Sequence, residues 1–123
     1  MTTPEFLMVF GRALIGGLFV VAGIRHFFIL PAVAAPMAAR GIPRPQEALI
    51  AGSIFETVAG LMVIFGFYAG WAALGLAGFT LVASWIMLDF WNKQGFAREG
   101  AINGWIANTG VVGGLLIVAA GDF

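Results

Sequence analysis

Four apolar stretches, each about 20 residues long, occupy most of this 123-residue chain. They cover residues 6–30, 47–68, 71–90 and 101–120. A bilayer core about 30 Å thick is crossed by roughly 20 apolar residues in helical form. Hydrophobic residues make up 61% of the chain and charged residues 10%, and the mean hydropathy is +1.00, which leaves too little polar surface for a water-soluble domain. We therefore predict an all-α integral membrane protein, a four-helix bundle in which residues 1–123 form a single domain.

The three connections between these stretches differ in composition. The segment GFYAGW, residues 66–71, is a short turn containing glycine, so the second and third spans should form an antiparallel hairpin. Residues 31–47 contain four prolines, which exclude a continuous helix. We expect a short helical turn there, at the membrane interface, with Pro45 near the start of the second span. Residues 91–100 are expected to form a short polar loop.

The basic residues predict the orientation of the bundle. Most of them lie on one side of the predicted membrane, namely Arg25, Arg40, Arg44, Lys93 and Arg98. Because positively charged loops are retained in the cytoplasm, we expect loops 31–46 and 91–100 to be cytoplasmic and both termini to lie outside. The first stretch is expected to remain as a span, because its apolar run is too long for a signal peptide and no basic segment precedes it.

Residue counts exclude several kinds of chemistry. The chain has no Cys, which excludes disulfides, thiolate metal sites and CxxC redox motifs. A single His makes a histidine-rich metal site very improbable, and we predict no metal site. The net charge is zero and the basic residues do not cluster, so no nucleic acid is expected as a partner.

Glu56 is the only formal charge between Ala48 and Tyr68, near the middle of the second span. A lone charge at that depth costs about 2.5–3.5 kcal/mol on insertion scales, and pairing reduces the cost. Arg12 lies about seven residues into the first span, at a similar expected depth. Since Gly16 and Gly60 would let the two helices approach closely, we predict an intramembrane ion pair between Arg12 and Glu56.

This pair has two interpretations. In the first, it is structural and sets the register of the helices. In the second, Glu56 lines a polar cavity and, with Arg12 and His26, forms a candidate quinone or proton site. Other polar residues in the spans are expected to make interhelical contacts, since a hydroxyl or amide in lipid needs a partner. They are Ser53, Thr80, Ser84, Asn103 and Asn108.

The chain resembles the DoxX family of small four-span membrane proteins. The resemblance rests on GRALIGGLFVVAGIRHF in the first span, GIPRP in the following loop, ETVAGLMVIFG in the second span and KQGFAREGAINGWIANTGVVGGLLI at the end of the chain. It implies a four-helix bundle in a bacterial cytoplasmic (inner) membrane, with Arg12, His26 and Glu56 at positions that the family favours. Some members of that family are described as quinone-linked subunits of thiosulfate oxidation, and others as membrane partners in redox-defence assemblies.

Three functions therefore stay open. The preferred one is a non-catalytic accessory or assembly subunit of a larger membrane redox or energy-converting complex, with the lipid bilayer and other membrane subunits as partners. The alternative is a quinone-interacting subunit of a membrane oxidoreductase, similar to thiosulfate:quinone oxidoreductase. The third is a transporter of a small solute or protons. No catalytic residue is identified and no enzymatic activity of this chain on its own is predicted; no cofactor is evident, with quinone as the candidate ligand.

Overall fold

The computed structural model describes residues 1–123 and contains five α-helices, one 3-10 turn and no strands. The helices are α1 (Thr3–Phe28), α2 (Leu30–Ala39), α3 (Pro45–Phe65), α4 (Ala69–Met87) and α5 (Gly95–Asp122), and the turn is Phe90–Asn92. Four segments are long and apolar enough to cross a membrane: α1, α3, α5, and α4 together with that turn. The prediction of an all-α membrane bundle with four spans is confirmed.

Local sequence signals explain where the hairpin between α3 and α4 lies. Pro45 occupies the first turn of α3, where its missing N–H has no helical partner to lose. Gly66 ends α3 with a φ of 74°, in the left-handed region that glycine enters without steric cost. Tyr68 also has a positive φ, 49°, and α4 starts at the next residue. The two spans are therefore antiparallel neighbours joined by three residues.

The connections at the other end of the bundle hold more helix than the sequence predicts. No continuous helix runs through residues 31–47, as their prolines predict, but the expected short helical turn is a helix of ten residues, α2, with Pro36 inside it. Pro31 lies in the first turn, and the surrounding alanines are strong helix formers. Ala34 and Met37 pack against Leu49 of α3, which stabilises α2 further. Likewise α5 begins at Gly95, inside the expected polar loop.

The bundle is held together by close contacts between small residues. Gly16 of α1 packs directly on Gly60 of α3, since a Cβ added to either glycine would lie 2.6–2.7 Å from the carbonyl oxygen of the other. Small interface residues allow this approach in membranes, where packing replaces the hydrophobic effect between helices. The main core contains many alanines: Phe19, Ala59, Val63, Ala69, Ala72, Ala73, Leu76, Ala77, Leu115, Val118 and Ala119.

Candidate functional site

His26, Ser53 and Glu56 meet where α1 crosses α3. His26 Nδ1 lies 3.2 Å from Glu56 Oε1 and 3.3 Å from Ser53 Oγ. The backbones approach closely here because α1 carries Gly23, where a Cβ would collide with the hydroxyl of Thr57. The imidazole therefore bridges the two helices, and Ser53 contacts His26 across the interface.

The directions of the side chains explain why His26 reaches Glu56. Side chains in α-helices tilt toward the N-terminus of their own helix. Because α1 and α3 are antiparallel, His26 extends along α1 toward the level of Glu56, and Glu56 extends along α3 toward the level of His26. The two side chains converge although their backbones lie at different heights.

Glu56 has an acceptor oxygen that the protein leaves without a hydrogen bond. The residue is only 4% exposed. Its Oε1 is within ion-pair distance of His26, but no hydrogen bond to Oε1 is formed. Buried polar atoms nearly always have such a partner, since an unmet acceptor retains its desolvation cost. This oxygen is therefore suited to accept a hydrogen bond from a bound molecule.

The structure corrects the predicted pairing of Arg12 with Glu56. Arg12 Nη1 lies against Gly66 at the far end of α3, 3.1 Å from where a Cβ of that glycine would be. The contact between Gly16 and Gly60 sets the register of the helices, and it places Arg12 about eight residues, or roughly 12 Å, beyond the level of Glu56. The side chain of Arg12 also extends toward the start of α1, away from Glu56. Arg12 therefore does not belong to the His26 cluster.

A second polar contact joins α4 to α5. Asn108 Nδ2 donates to Ser84 Oγ at 2.8 Å, and Ser84 is buried. The two other polar residues that were expected to link helices do not do so. Thr80 donates to the Leu76 carbonyl of its own helix at 2.8 Å, and the exposed Asn103 makes no interhelical hydrogen bond.

A cavity of about 470 Å³ lies between these two polar contacts. His26 and Glu56 border it from α1 and α3, and Ser84 and Asn108 border it from α4 and α5. Eleven of its sixteen lining residues are hydrophobic. The apolar wall comes mainly from α2, α3 and α4 and includes Val33, Met37, Leu49, Phe79 and Ile86. The cavity is thus largely apolar, with hydrogen-bonding groups supplied by two pairs of helices.

Arg40, at the end of α2, binds α2 to the C-terminal end of α4 near this cavity. Its Nη1 donates to the carbonyl oxygens of Trp85 and Ile86 at 2.8 and 2.7 Å, at the C-terminal end of α4. It also lies 3.4 Å from Asp89 Oδ2, and Lys93 lies 3.1 Å from the other oxygen of Asp89. This network is not predicted from the sequence. The available signal was that the last carbonyls of a helix need donors and favour a cation.

The geometry suits binding of a small, mostly apolar molecule that carries polar atoms. His26 Nδ1 lies close enough to Glu56 Oε1 for a proton to pass from one to the other, and Ser84 and Asn108 offer both hydroxyl and amide groups. No three His, Asp or Glu side chains converge as a metal site requires.

Comparison with known proteins assigns the family. No curated protein and no solved structure matches the chain. The DoxX family model matches residues 7–89, a stretch that includes His26, Glu56 and Ser84. Since this match covers more than half of the 123 residues, and since the chain folds as a four-span membrane bundle, the protein belongs to the DoxX family.

Proposed function

We propose that this protein binds a quinone or quinol in the cavity between the His26–Glu56 and Ser84–Asn108 contacts, as a membrane subunit of a redox complex. The observation that carries the proposal is the buried Glu56, which borders a largely apolar cavity and whose Oε1 lacks a hydrogen-bond partner. A quinol O–H group would supply that hydrogen bond.

The dimensions and chemistry of the cavity support this ligand class. Its volume of about 470 Å³ falls within the range of roughly 300–1,000 Å³ that is typical of ligand pockets. A quinol ring has two oxygen atoms, and two separate polar contacts border the cavity. One contact offers the acceptor Glu56, and the other offers Ser84 and Asn108.

The cavity is open to a molecule that diffuses in the bilayer. Ala48 of α3 and Val82 of α4 border the cavity and are both exposed on the outside of the bundle. A lipid-soluble ring can therefore enter between α3 and α4 without crossing water. This location also favours a membrane-dissolved ligand over a soluble metabolite.

The pair of His26 and Glu56 provides a route for a proton. Oxidation of a quinol releases two protons and two electrons. In the proposal Glu56 accepts one proton and passes it to His26, whose side chain is 26% exposed against 5% for Glu56. The second proton and the two electrons leave to a flavin held by a partner subunit, since a flavin takes up two electrons and one proton when it is reduced to its hydroquinone anion.

The substitution Glu56→Gln tests this function. It keeps the shape of the side chain but exchanges a charge-assisted hydrogen bond for a neutral one, a loss of about 1.4 kcal/mol or tenfold in affinity. Binding of a short-chain quinol analogue to the protein in lipid nanodiscs is measured by calorimetry. Glu47→Gln is the matched control, since that side chain on the same helix is 71% exposed. Equal affinity of the Glu56→Gln variant and the wild type, both folded, would overturn the proposal.

A specific observation also favours an accessory role in a larger assembly. Gly110 on α5 has no atom within 4 Å of the position of a Cβ, and Asn103 exposes an amide on the same helix without an interhelical bond. An open glycine and an unpaired amide on a membrane helix suit a neighbouring helix from another subunit. Gly110→Leu should release such a subunit during gentle purification, whereas Gly78→Leu, at an open glycine on α4, serves as control. Retention of the same partners by the Gly110→Leu variant would exclude this face.

The proposed setting is the bacterial cytoplasmic membrane with both termini outside. The excess of Lys and Arg in the loops opposite the termini supports this orientation. Because the chain has no native Cys, single cysteines introduced at Thr2 and Gln94 can be labelled with a membrane-impermeant maleimide in intact cells. Labelling at Thr2 alone is expected, and labelling at Gln94 alone would reverse the orientation.

A further inference from the structure

Arg12 has a guanidinium group whose charge is not balanced within the protein. The ion pairs of the structure involve His26, Arg40, Arg44 and Lys93, so Arg12 has no acidic partner within 4.0 Å. Its Nε is buried and has no hydrogen-bond partner. The group lies near the C-terminal end of α3, which offers only the partial negative charge of the helix end. An arginine in a membrane-spanning helix normally pairs with another group.

Arg12 borders a groove on the outside of the bundle, distinct from the cavity of the proposed function. The groove lies between α1 and α5 and has a volume of about 420 Å³. Leu7, Ile15, Ile117 and Val118 make it largely apolar. Gly11 leaves its surface open, since no atom lies within 4 Å of the position of a Cβ there.

The position of the groove along the membrane suits a lipid. The part of α1 that borders it, from Pro4 to Ile15, rises about 16 Å, which is close to half of a bilayer core. The Arg12 side chain extends toward the end of the bundle that carries the chain termini, near the turn between α3 and α4. Long basic side chains in membrane helices extend in this way toward the lipid headgroups.

We propose that Arg12 and the groove between α1 and α5 bind an anionic phospholipid. The guanidinium donates to the lipid phosphate, and the apolar groove holds an acyl chain. Charge complementarity selects this occupant. A net negative lipid balances the uncompensated guanidinium, whereas a zwitterionic lipid carries its own ammonium group.

The experiment compares lipids retained by the purified protein in native mass spectrometry. The protein is exchanged into detergent with dioleoyl phosphatidylglycerol or dioleoyl phosphatidylcholine, which have the same acyl chains. We expect one phosphatidylglycerol to be retained with at least a tenfold preference over phosphatidylcholine. Arg12→Gln should abolish the preference, and Arg98→Gln, which removes an exposed arginine, should leave it unchanged.

Two further arms separate the lipid from other sources of negative charge. Gly11→Leu fills the groove without an internal clash and keeps Arg12, so it should lower lipid retention at least fivefold. Inorganic phosphate at millimolar concentration should not displace the lipid, because it lacks an acyl chain. Equal retention of both lipids by the wild type overturns the proposal, as does unchanged retention in both variants. If inorganic phosphate displaces the phosphatidylglycerol, Arg12 is an anion site without a lipid groove. If Arg12→Gln releases a partner subunit while lipid retention is unchanged, the partner of Arg12 is a protein carboxylate instead.

Discussion

Replacing Gly16 by alanine should separate α1 from α3 and destabilise the bundle. The new Cβ would lie 2.6 Å from the carbonyl oxygen of Gly60 and 2.7 Å from Ile64 Cγ1, whereas ordinary contacts begin near 3.4 Å. The backbones must therefore move apart by about 0.8 Å, since the carbonyl has no rotamer to change. Overpacking of this kind costs about 1–3 kcal/mol. The higher helix propensity of alanine offsets about 0.5–1 kcal/mol of it.

The adjacent Gly17 provides the matched control. Its Cβ position has no neighbour within 4 Å, so Gly17→Ala gains the propensity without the clash and should be neutral or stabilising by up to about 1 kcal/mol. Thermal unfolding in detergent, followed by circular dichroism, should therefore shift in opposite directions for two neighbouring residues. A Gly16→Ala variant as stable as the Gly17→Ala variant would refute the assigned contact between α1 and α3.

Two other substitutions test polar contacts at and near the cavity. Arg40→Gln removes the charged donor from the carbonyls that end α4. It should lower the free energy of unfolding by about 1–3 kcal/mol in thermal denaturation. Arg44→Gln is the control: the Arg44 side chain is 82% exposed, so the free energy of unfolding should change by less than about 0.5 kcal/mol. Ser84→Ala removes a hydroxyl of the site and leaves the amide of Asn108 without its acceptor. It should weaken quinol binding about tenfold in calorimetry while stability changes by about 1–2 kcal/mol. Unchanged binding would remove Ser84 from the site.

Local signals in the sequence predict much of the fold. Apolar length alone identifies the four spans, because a helix in lipid must satisfy its backbone internally over about 20 residues. Gly66 identifies the end of α3, because few other residues adopt a φ of 74° readily. The exception is α2. Its prolines suggested a broken segment, and only its packing on Leu49 and the bond from Arg40 show why ten residues stay helical.

The candidate site is less predictable, because its contacts depend on how the helices slide and rotate against each other. From the sequence, Glu56 is a buried charge that needs a neighbour. Arg12 and His26 both lie on the same face of α1 and are both candidates. The expected depth of each residue in the membrane favoured Arg12. That depth is estimated from the ends of the spans and ignores the tilt of side chains along the helix. Asp89, at the end of the third predicted span, carries no local signal of burial, yet it is 6% exposed and lies 3.4 Å from Arg40 Nη1.

The sequence by itself determined the class of protein, the number of spans and the presence of one charge deep in the second span. These follow from composition and from hydropathy along the chain, which do not depend on contacts between helices. Only the tertiary structure decided that His26, not Arg12, meets Glu56, and that Ser84 and Asn108 border the same cavity. The physical reason is register, because the mutual contact of Gly16 and Gly60 sets which residues of α1 and α3 lie at the same height.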